Sequence, residues 1–189
     1  MRGNPFADAR IETARLVLRP FERREMDAFC EIAGQEEVLK FLPSTDRMTR
    51  DELEGVFRWL VDCYETNTVD KIRKFTLAVI LRQAGELVGW CGLGPLEYDE
   101  SEIELYFVIS HERWGIGLAT EAAQALLEYA FDPLGLRRVV AVAAPENRGS
   151  VRVLEKIGMT RQGVVRGLSA AYRDYEGHAC YSIARKREA

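Results

Sequence analysis

The chain sets Gly115 and Gly117 two residues apart, directly before residues that form helix well, in the stretch HERWGIGLATEA (111–122). A glycine pair there is either a plain turn or a seat for an anion. The first turn of a helix leaves backbone N–H groups unpaired and carries partial positive charge, and glycine lets phosphate oxygens approach with no Cβ in the way. Before it, Glu97, Asp99, Glu100, Glu102 and Glu104 crowd into eight positions. Such a concentration of carboxylates favours a cationic partner, although a solvated acidic turn accounts equally well for the first three. After it, Asn147 and Ser150 stand at the predicted start of a further helix.

Three phosphate-binding patterns can be set against the glycines. A Walker loop needs Gly-x-x-x-x-Gly-Lys-Ser/Thr, and no lysine lies in 111–122. The dinucleotide fingerprint needs a third small residue where this chain has Thr120, and no ribose-binding acid follows. The third pattern is a strand, a short glycine-containing turn and a helix whose N–H groups grip a pyrophosphate without a lysine. Residues 103–109 fit the strand, 115–119 the turn and 118–131 the helix, with the Thr120 hydroxyl added at its first turn.

These groups need elements to hold them. Alternation over 11–21 predicts a first strand ending at Pro20. Residues 22–34 bring Met26, Phe29, Cys30 and Ala33 to one helical face, with Gly34 to close it. Thr49 caps a second helix with the stripe Leu53, Val56, Phe57, Leu60 and Cys63, and Glu52 completes a capping-box spacing. Strands are predicted over 74–81, 87–93 and 103–109, joined by turns at 83–86 and 97–102. Leu118, Ala122, Leu126 and Tyr129 recur at helical spacing up to Pro133. A strand over 137–143, a helix over 150–157 closed by Gly158, and a last strand over 178–184 follow. The order predicts an α/β (α+β) fold spanning 1–189 as one domain, a central mixed, mostly antiparallel twisted sheet of about seven strands flanked by about four helices. The antiparallel run in the middle excludes a pure doubly wound sheet.

The totals agree. At 189 residues, 47% hydrophobic and 30% charged, the chain fits a soluble globular domain with a proper core. A net charge of −4 provides no basic field for nucleic acid. The longest apolar runs, 77–81 and 139–145, are too short to cross a membrane, and the first residues show no signal-peptide pattern. Cys30, Cys63, Cys91 and Cys180 form no Cys-x-x-Cys pair, and only His111 and His178 exist to join them. Reduced thiols, no metal and a cytoplasmic location are the expectation.

Two segments carry a more specific signal: Glu102-Ile103-Glu104-Leu105-Tyr106-Phe107-Val108-Ile109 and Trp114-Gly115-Ile116-Gly117-Leu118-Ala119-Thr120-Glu121-Ala122. Together they resemble the acetyl-coenzyme A motif of the GNAT N-acetyltransferases, in particular the branch that includes the ribosomal-protein N-terminal alanine acetyltransferases. Residues 12–19 (ETARLVLR), 147–150 (NRGS) leading to 155–159 (EKIGM), and 172–174 (YRD) agree with it in order along nearly the whole chain. There are departures. Trp114 stands where the wider superfamily has Gln or Arg, as this branch often does. Leu154 stands where many relatives carry a tyrosine general acid.

The resemblance implies a GNAT-like domain with acetyl-coenzyme A as co-substrate. Its pyrophosphate would sit on Trp114, Gly115, Ile116, Gly117, Leu118, Ala119 and Thr120. The strand would splay at Phe107, Val108 and Ile109 to admit the pantetheine arm, with backbone N–H groups there meeting the oxyanion. Asn147, otherwise a turn and cap residue, would bond the pantetheine. Glu104 reads on sequence alone as a solvated strand residue; the resemblance makes it a base candidate acting through water. With Leu154 in place of tyrosine, Ser150 becomes the leading proton donor to the thiolate, ahead of Tyr172 and Tyr181. Arg173 and Asp174 are expected to pair, and Trp59 and Trp90 to lie in the core rather than in a pocket wall.

The implied reaction is acetyl transfer to a primary amine by direct attack in a ternary complex. The acceptor is a protein N-terminal α-amine or a small amine, polyamine or antibiotic. An α-amine with a pKa of about 8 is roughly a tenth neutral at pH 7, whereas a lysine amine near 10.4 is neutral in fewer than about one molecule in a thousand. An α-amine therefore asks little of a single glutamate. The alternative is a coenzyme A-binding module or sensor without catalysis, and a dinucleotide-dependent dehydrogenase is a more distant one. The loops at 41–50 and 167–177 are expected to shape the acceptor pocket, and a homodimer is a possible assembly.

Overall fold

The computed structural model of the chain describes residues 3–42 and 48–185. The strands are β1 (Ile11–Glu12), β2 (Leu16–Arg19), β3 (Phe75–Leu81), β4 (Leu87–Leu96), β5 (Asp99–Ile109), β6 (Arg138–Ala143), β7 (Thr160–Val164) and β8 (Ala179–Ala184). The helices are α1 (Met26–Ala33), α2 (Glu36–Leu39), α3 (Arg50–Thr66), α4 (Leu118–Phe131) and α5 (Arg148–Lys156). All eight strands join one sheet in the order β1-β2-β3-β4-β5-β6-β8-β7. Every pairing is antiparallel except β5 with β6. The predicted mixed, mostly antiparallel α/β sheet is therefore the observed one.

Local rules account for most boundaries. Thr49 caps α3, and it and Glu52 satisfy each other's backbone groups as the sequence predicts. β2 stops before Pro20, and Gly158, at φ +82°, ends the α5 segment. Three expectations are corrected. Residues 11–21 form a hairpin rather than one strand, because the Thr13 hydroxyl accepts the Leu16 N–H and folds β1 back on β2. The acidic segment at 97–102 is mostly strand. Leu96 already pairs with Asp99, so only Glu97 and Tyr98 turn the hairpin. β7, the eighth strand, escapes pattern reading because it is an edge strand exposed along most of its length, with no buried face to alternate. The short helix α2 is additional too.

Strand alternation divides the core between the two faces of the sheet. Phe75, Leu77 and Val79 of β3, with Leu93 and Leu105, pack under Leu118, Ala122 and Leu126 of α4 and Leu154 of α5. The opposite face carries Ala78, Ile80, Trp90 and Val108 against Phe29 of α1 and Phe57 and Leu60 of α3. Trp90 is in the core as expected. Phe57 holds this second layer together, with ring centroids 5.1 Å from Phe21 and 5.3 Å from Phe29. Phe57→Ala is expected to cost about 3–5 kcal/mol in urea denaturation, the range for a buried phenylalanine whose site cannot collapse.

Candidate active site

The site begins where the sheet comes apart. β5 pairs with β4 along its whole length, to Gly89 opposite Ile109, but meets the parallel strand β6 in register only at Glu104 opposite Val140. Beyond that point β6 continues bonded to β8 through Ala143 and Ala179. The result is a fork between the C-terminal halves of two neighbouring strands. Ser110 N–H donates to Val88 C=O on the β4 side. Alternation along the strand then turns the N–H groups of Phe107 and Ile109 away from β4, toward the fork, and that of Val108 back to β4. The Val108 side chain is core. The indole N–H of Trp114 donates to Ile109 C=O at 2.6 Å, which ties the following loop to the strand end.

That loop leads straight into α4. Gly115 and Gly117 have φ of +78° and +85°, a left-handed backbone that disfavours any side chain. A Cβ on Gly115 would meet nothing within 4 Å. Conformation, not crowding, requires this glycine. Gly117 is the N-cap of α4, no side chain caps the helix, and its first bond runs from Glu121 N–H to Gly117 C=O. The N–H groups of Leu118, Ala119 and Thr120 precede that bond and face the glycine turn. Trp114 and Ile116 flank the glycines and are exposed.

A clamp that sequence reading missed secures this turn. Glu121 accepts from the Thr13 hydroxyl at 2.6 Å, from Arg15 N–H at 2.8 Å and from Arg15 Nε at 2.6 Å, while Arg15 Nη1 donates to Ile116 C=O at 2.7 Å. Burial alone would raise the Glu121 carboxyl, but these donors outweigh it and hold it below its ordinary range. Thr13, Arg15 and Glu121 all lie in stretches the sequence marks, yet nothing local shows that residues so far apart in the chain meet.

On the face opposite α4, Glu104 is only 9% exposed, which corrects the solvated reading of that residue. Burial pushes its carboxyl up to about 7; the Lys74 ammonium works against the rise, Glu97 adds to it, and the Val142 N–H at the fork favours the charged form. Two β4 glycines leave room here. A Cβ on Gly94, the cross-strand partner of Glu104, would strike Lys74 Cδ at 2.6 Å, and one on Gly92 would strike the Tyr106 ring at 2.4 Å. Lys74 Nζ lies 4.6 Å from the centre of that ring, and the Tyr106 hydroxyl bonds Thr76. Beyond Glu104, the Tyr98 ring lies tilted against Tyr175 at 5.5 Å, and Tyr175 meets His178 edge-on at 5.7 Å. Tyr98 and Tyr175 were not anticipated; only their place beside the acidic hairpin and the 172–174 block hints at them.

The remaining candidates fall on both sides of the fork. Asn147 caps α5, its Oδ1 accepting Ser150 N–H at 3.0 Å. Ser150 sits on the α4 side of the sheet, since α5 packs there through Leu154, whereas Glu104 faces the other way. Tyr181 is core on the α4 side. Tyr172 and Trp59 line a groove beside Glu97 on the Glu104 side. Trp59, 42% exposed, is thus no core residue: position 59 falls outside the α3 stripe. Arg173 and Asp174 are both exposed on a short 3-10 turn, and no salt bridge joins them among the described residues. Of the expected pocket loops, 43–47 lie outside the described residues.

Comparison with known proteins gives the class to which a strand fork followed by a glycine-started helix, on this sheet order, belongs here. Residues 15–160 match the acetyltransferase (GNAT) domain, and the chain belongs to that family. An uncharacterized N-acetyltransferase of Bacillus subtilis strain 168, YnaD, is 36% identical over 81% of this chain and 84% of its own. The crystal structure of a GNAT-family acetyltransferase from Bacillus anthracis is 29% identical, with a TM-score of 0.74 over 93% of this chain and 98% of its own. Mycobacterium smegmatis RimJ in complex with CoA-disulfide shares the fold at 22% identity, with a TM-score of 0.71 over 89% of this chain and 81% of its own. The protein is an N-acetyltransferase of a family that uses acetyl-coenzyme A.

Glu121→Ala removes the acceptor on which the glycine turn hangs. Amide hydrogen exchange at 114–119 is expected to accelerate by about tenfold or more, with the β3–β4 amides unchanged.

Proposed function

We propose that the protein acetylates a primary amine, with a protein or peptide N-terminal α-amine favoured, by direct attack within a ternary complex. The observation that carries the reading is the fork at Glu104. There a buried carboxylate on one face and the start of α5 on the other flank an opening into which the N–H groups of Phe107 and Ile109 point. The glycine turn supports the cofactor assignment. Its unpaired N–H groups at Leu118, Ala119 and Thr120, with the positive end of α4, suit a pyrophosphate. Gly115, Ile116, Gly117 and Trp114 shape that seat, and the Asn147 amide bonds the pantetheine. Acetyl-coenzyme A supplies an acyl group on a thiol that leaves readily.

The chain's own residues do the rest. Glu104 takes a proton from the incoming ammonium, directly or through water. A base titrating near 7 is well matched to an α-amine of pKa about 8 and poorly matched to a lysine near 10.4. Phe107 and Ile109 N–H hold the carbonyl oxygen as charge gathers there. Ser150, across the fork from Glu104, returns a proton to the thiolate sulfur. Tyr181 is the nearer runner-up, because Tyr172 lies on the acceptor side with Glu104.

Thiol release from acetyl-coenzyme A against a panel of peptides and small amines tests the reading; if none of the panel's amines or peptides produces release, the reading fails. Turnover should fall as pH drops through about 7, and Lys74→Met should move that limb upward, because a cation that favours ionised Glu104 is lost. Glu104→Gln should lower kcat by about a hundredfold without weakening coenzyme A binding. It should also stabilise the fold. An unfolded carboxyl titrates near 4.5 and the folded one near 7, so the folded state holds the extra proton between these values and loses stability as pH rises through the window. The cost above pH 7 is on the order of 3 kcal/mol, so the Tm of Glu104→Gln should exceed the parent's at pH 8 and match it at pH 4. Gly117→Val forces a branched side chain into the left-handed region; calorimetry should find coenzyme A binding lost, and unchanged affinity would remove the pyrophosphate seat.

A further inference from the structure

An open groove of about 380 Å³ lies between α3, the β4–β5 turn and the 3-10 turn at Ala170–Tyr175, lined by Trp59, Arg73, Lys74, Glu97, Glu100 and Tyr172 among others. Its charges are sorted by wall. Arg73 and Lys74 precede β3 on one side, and Glu97 and Glu100 occupy the hairpin end on the other. Among the described residues none of the four takes part in a salt bridge, whereas neighbouring Glu102 is paired with Arg138. Opposite charges have been placed across one groove without neutralising each other.

The basic wall is also built rather than incidental. Asn67, 5% exposed, accepts Arg73 N–H at 2.7 Å and donates to Lys74 C=O at 2.8 Å, so both ends of a buried amide fix the backbone that carries the two cations. Gly94 lets the Lys74 stem cross β4, and Tyr106 holds its ammonium by a cation–π contact. On the acidic wall Glu97 lies against the Tyr175 hydroxyl. Trp59 leaves an aromatic surface open along the groove, one that a bound chain would cover.

We infer that this groove selects acceptors carrying a carboxylate close to the reacting amine, such as a peptide with an acidic residue just after its N-terminus. The ammonium meets Glu97 on its way to Glu104, and the carboxylate meets Arg73 and Lys74. A polyamine would have to set a second cation against those two, and like-charge contact across a binding surface is strongly unfavourable. The volume suits two or three residues of a peptide. The inference rests on the proposed reading that the acceptor amine enters on the Glu104 side of the fork.

The test is kcat/KM for three peptides identical except for Asp, Gln or Lys at the second position, with spermidine as a fourth acceptor. The parent should prefer the Asp peptide over the Lys peptide by about tenfold, about 1.4 kcal/mol, and Arg73→Glu should reverse the order, a change of more than about tenfold in the ratio. Equal or better turnover of spermidine or the Lys peptide by the parent overturns the inference, and so does an unchanged ratio in Arg73→Glu or no turnover of the Asp peptide. Glu104→Gln in the same series separates the two readings. If it keeps full turnover while Arg73→Glu still inverts the preference, the base assignment fails and the groove assignment stands.

Discussion

The parting of β5 from β6 beyond Glu104 is the constraint on which the rest of the molecule depends. Backbone groups left open within a sheet are costly unless something bonds them. The structure isolates that cost. β5 keeps its full ladder with β4, and β6 takes its remaining partners from β8, so each side of the opening is held by a strand that does not depend on the other. Two core layers, one under α4 and one under α1 and α3, brace the sheet from both faces. The fork is therefore an absence of pairing between two strands that are each held on the other side, not a frayed edge.

Where β5 ends, the chain turns at once into the glycine loop and α4. A ligand lying in the fork would run toward the positive end of that helix. The clamp from Thr13 and Arg15 to Glu121 and Ile116 connects this turn to the β1–β2 hairpin across the sheet. The helix start can stay uncapped because its position is secured from outside rather than by its own side chains. The glycine turn and the fork are thus held by different interactions and aligned by the single strand they share.

Glu104 shows the local trade involved. A carboxylate buried on the sheet face, with no salt-bridge partner among the described residues, opposes folding at neutral pH. Lys74, routed over Gly94, and the Val142 N–H at the fork offset part of that without neutralising it. A formal ion pair would have favoured the charged form and lowered the proton affinity of Glu104. The small residues in β4 are what permit this arrangement, which is why a strand with two glycines on one face sits at the centre of the sheet.

Much of this was legible in the residues. Periodicity located α3, α4, the central strands and their order, because each has a buried face that imposes a repeat. The glycine pair announced the helix start, because only glycine tolerates that backbone. The hairpin at Thr13, the exposed edge strand β7 and the strand character of Asp99–Glu102 were not legible, since side-chain capping, sheet edges and tight hairpins leave no apolar period. Trp59 and Glu104 were misread for one reason: burial of a single residue depends on what the rest of the chain lays over it. The sequence alone determined the fold class, the cofactor motif and the candidate residues, which are encoded by local conformational preference and spacing. Only the tertiary structure decided that β5 and β6 part at Glu104, that Glu121 anchors the loop through Arg15, and that opposed charges face one groove. Those facts are contacts between distant segments, and distance in space is not written in local order.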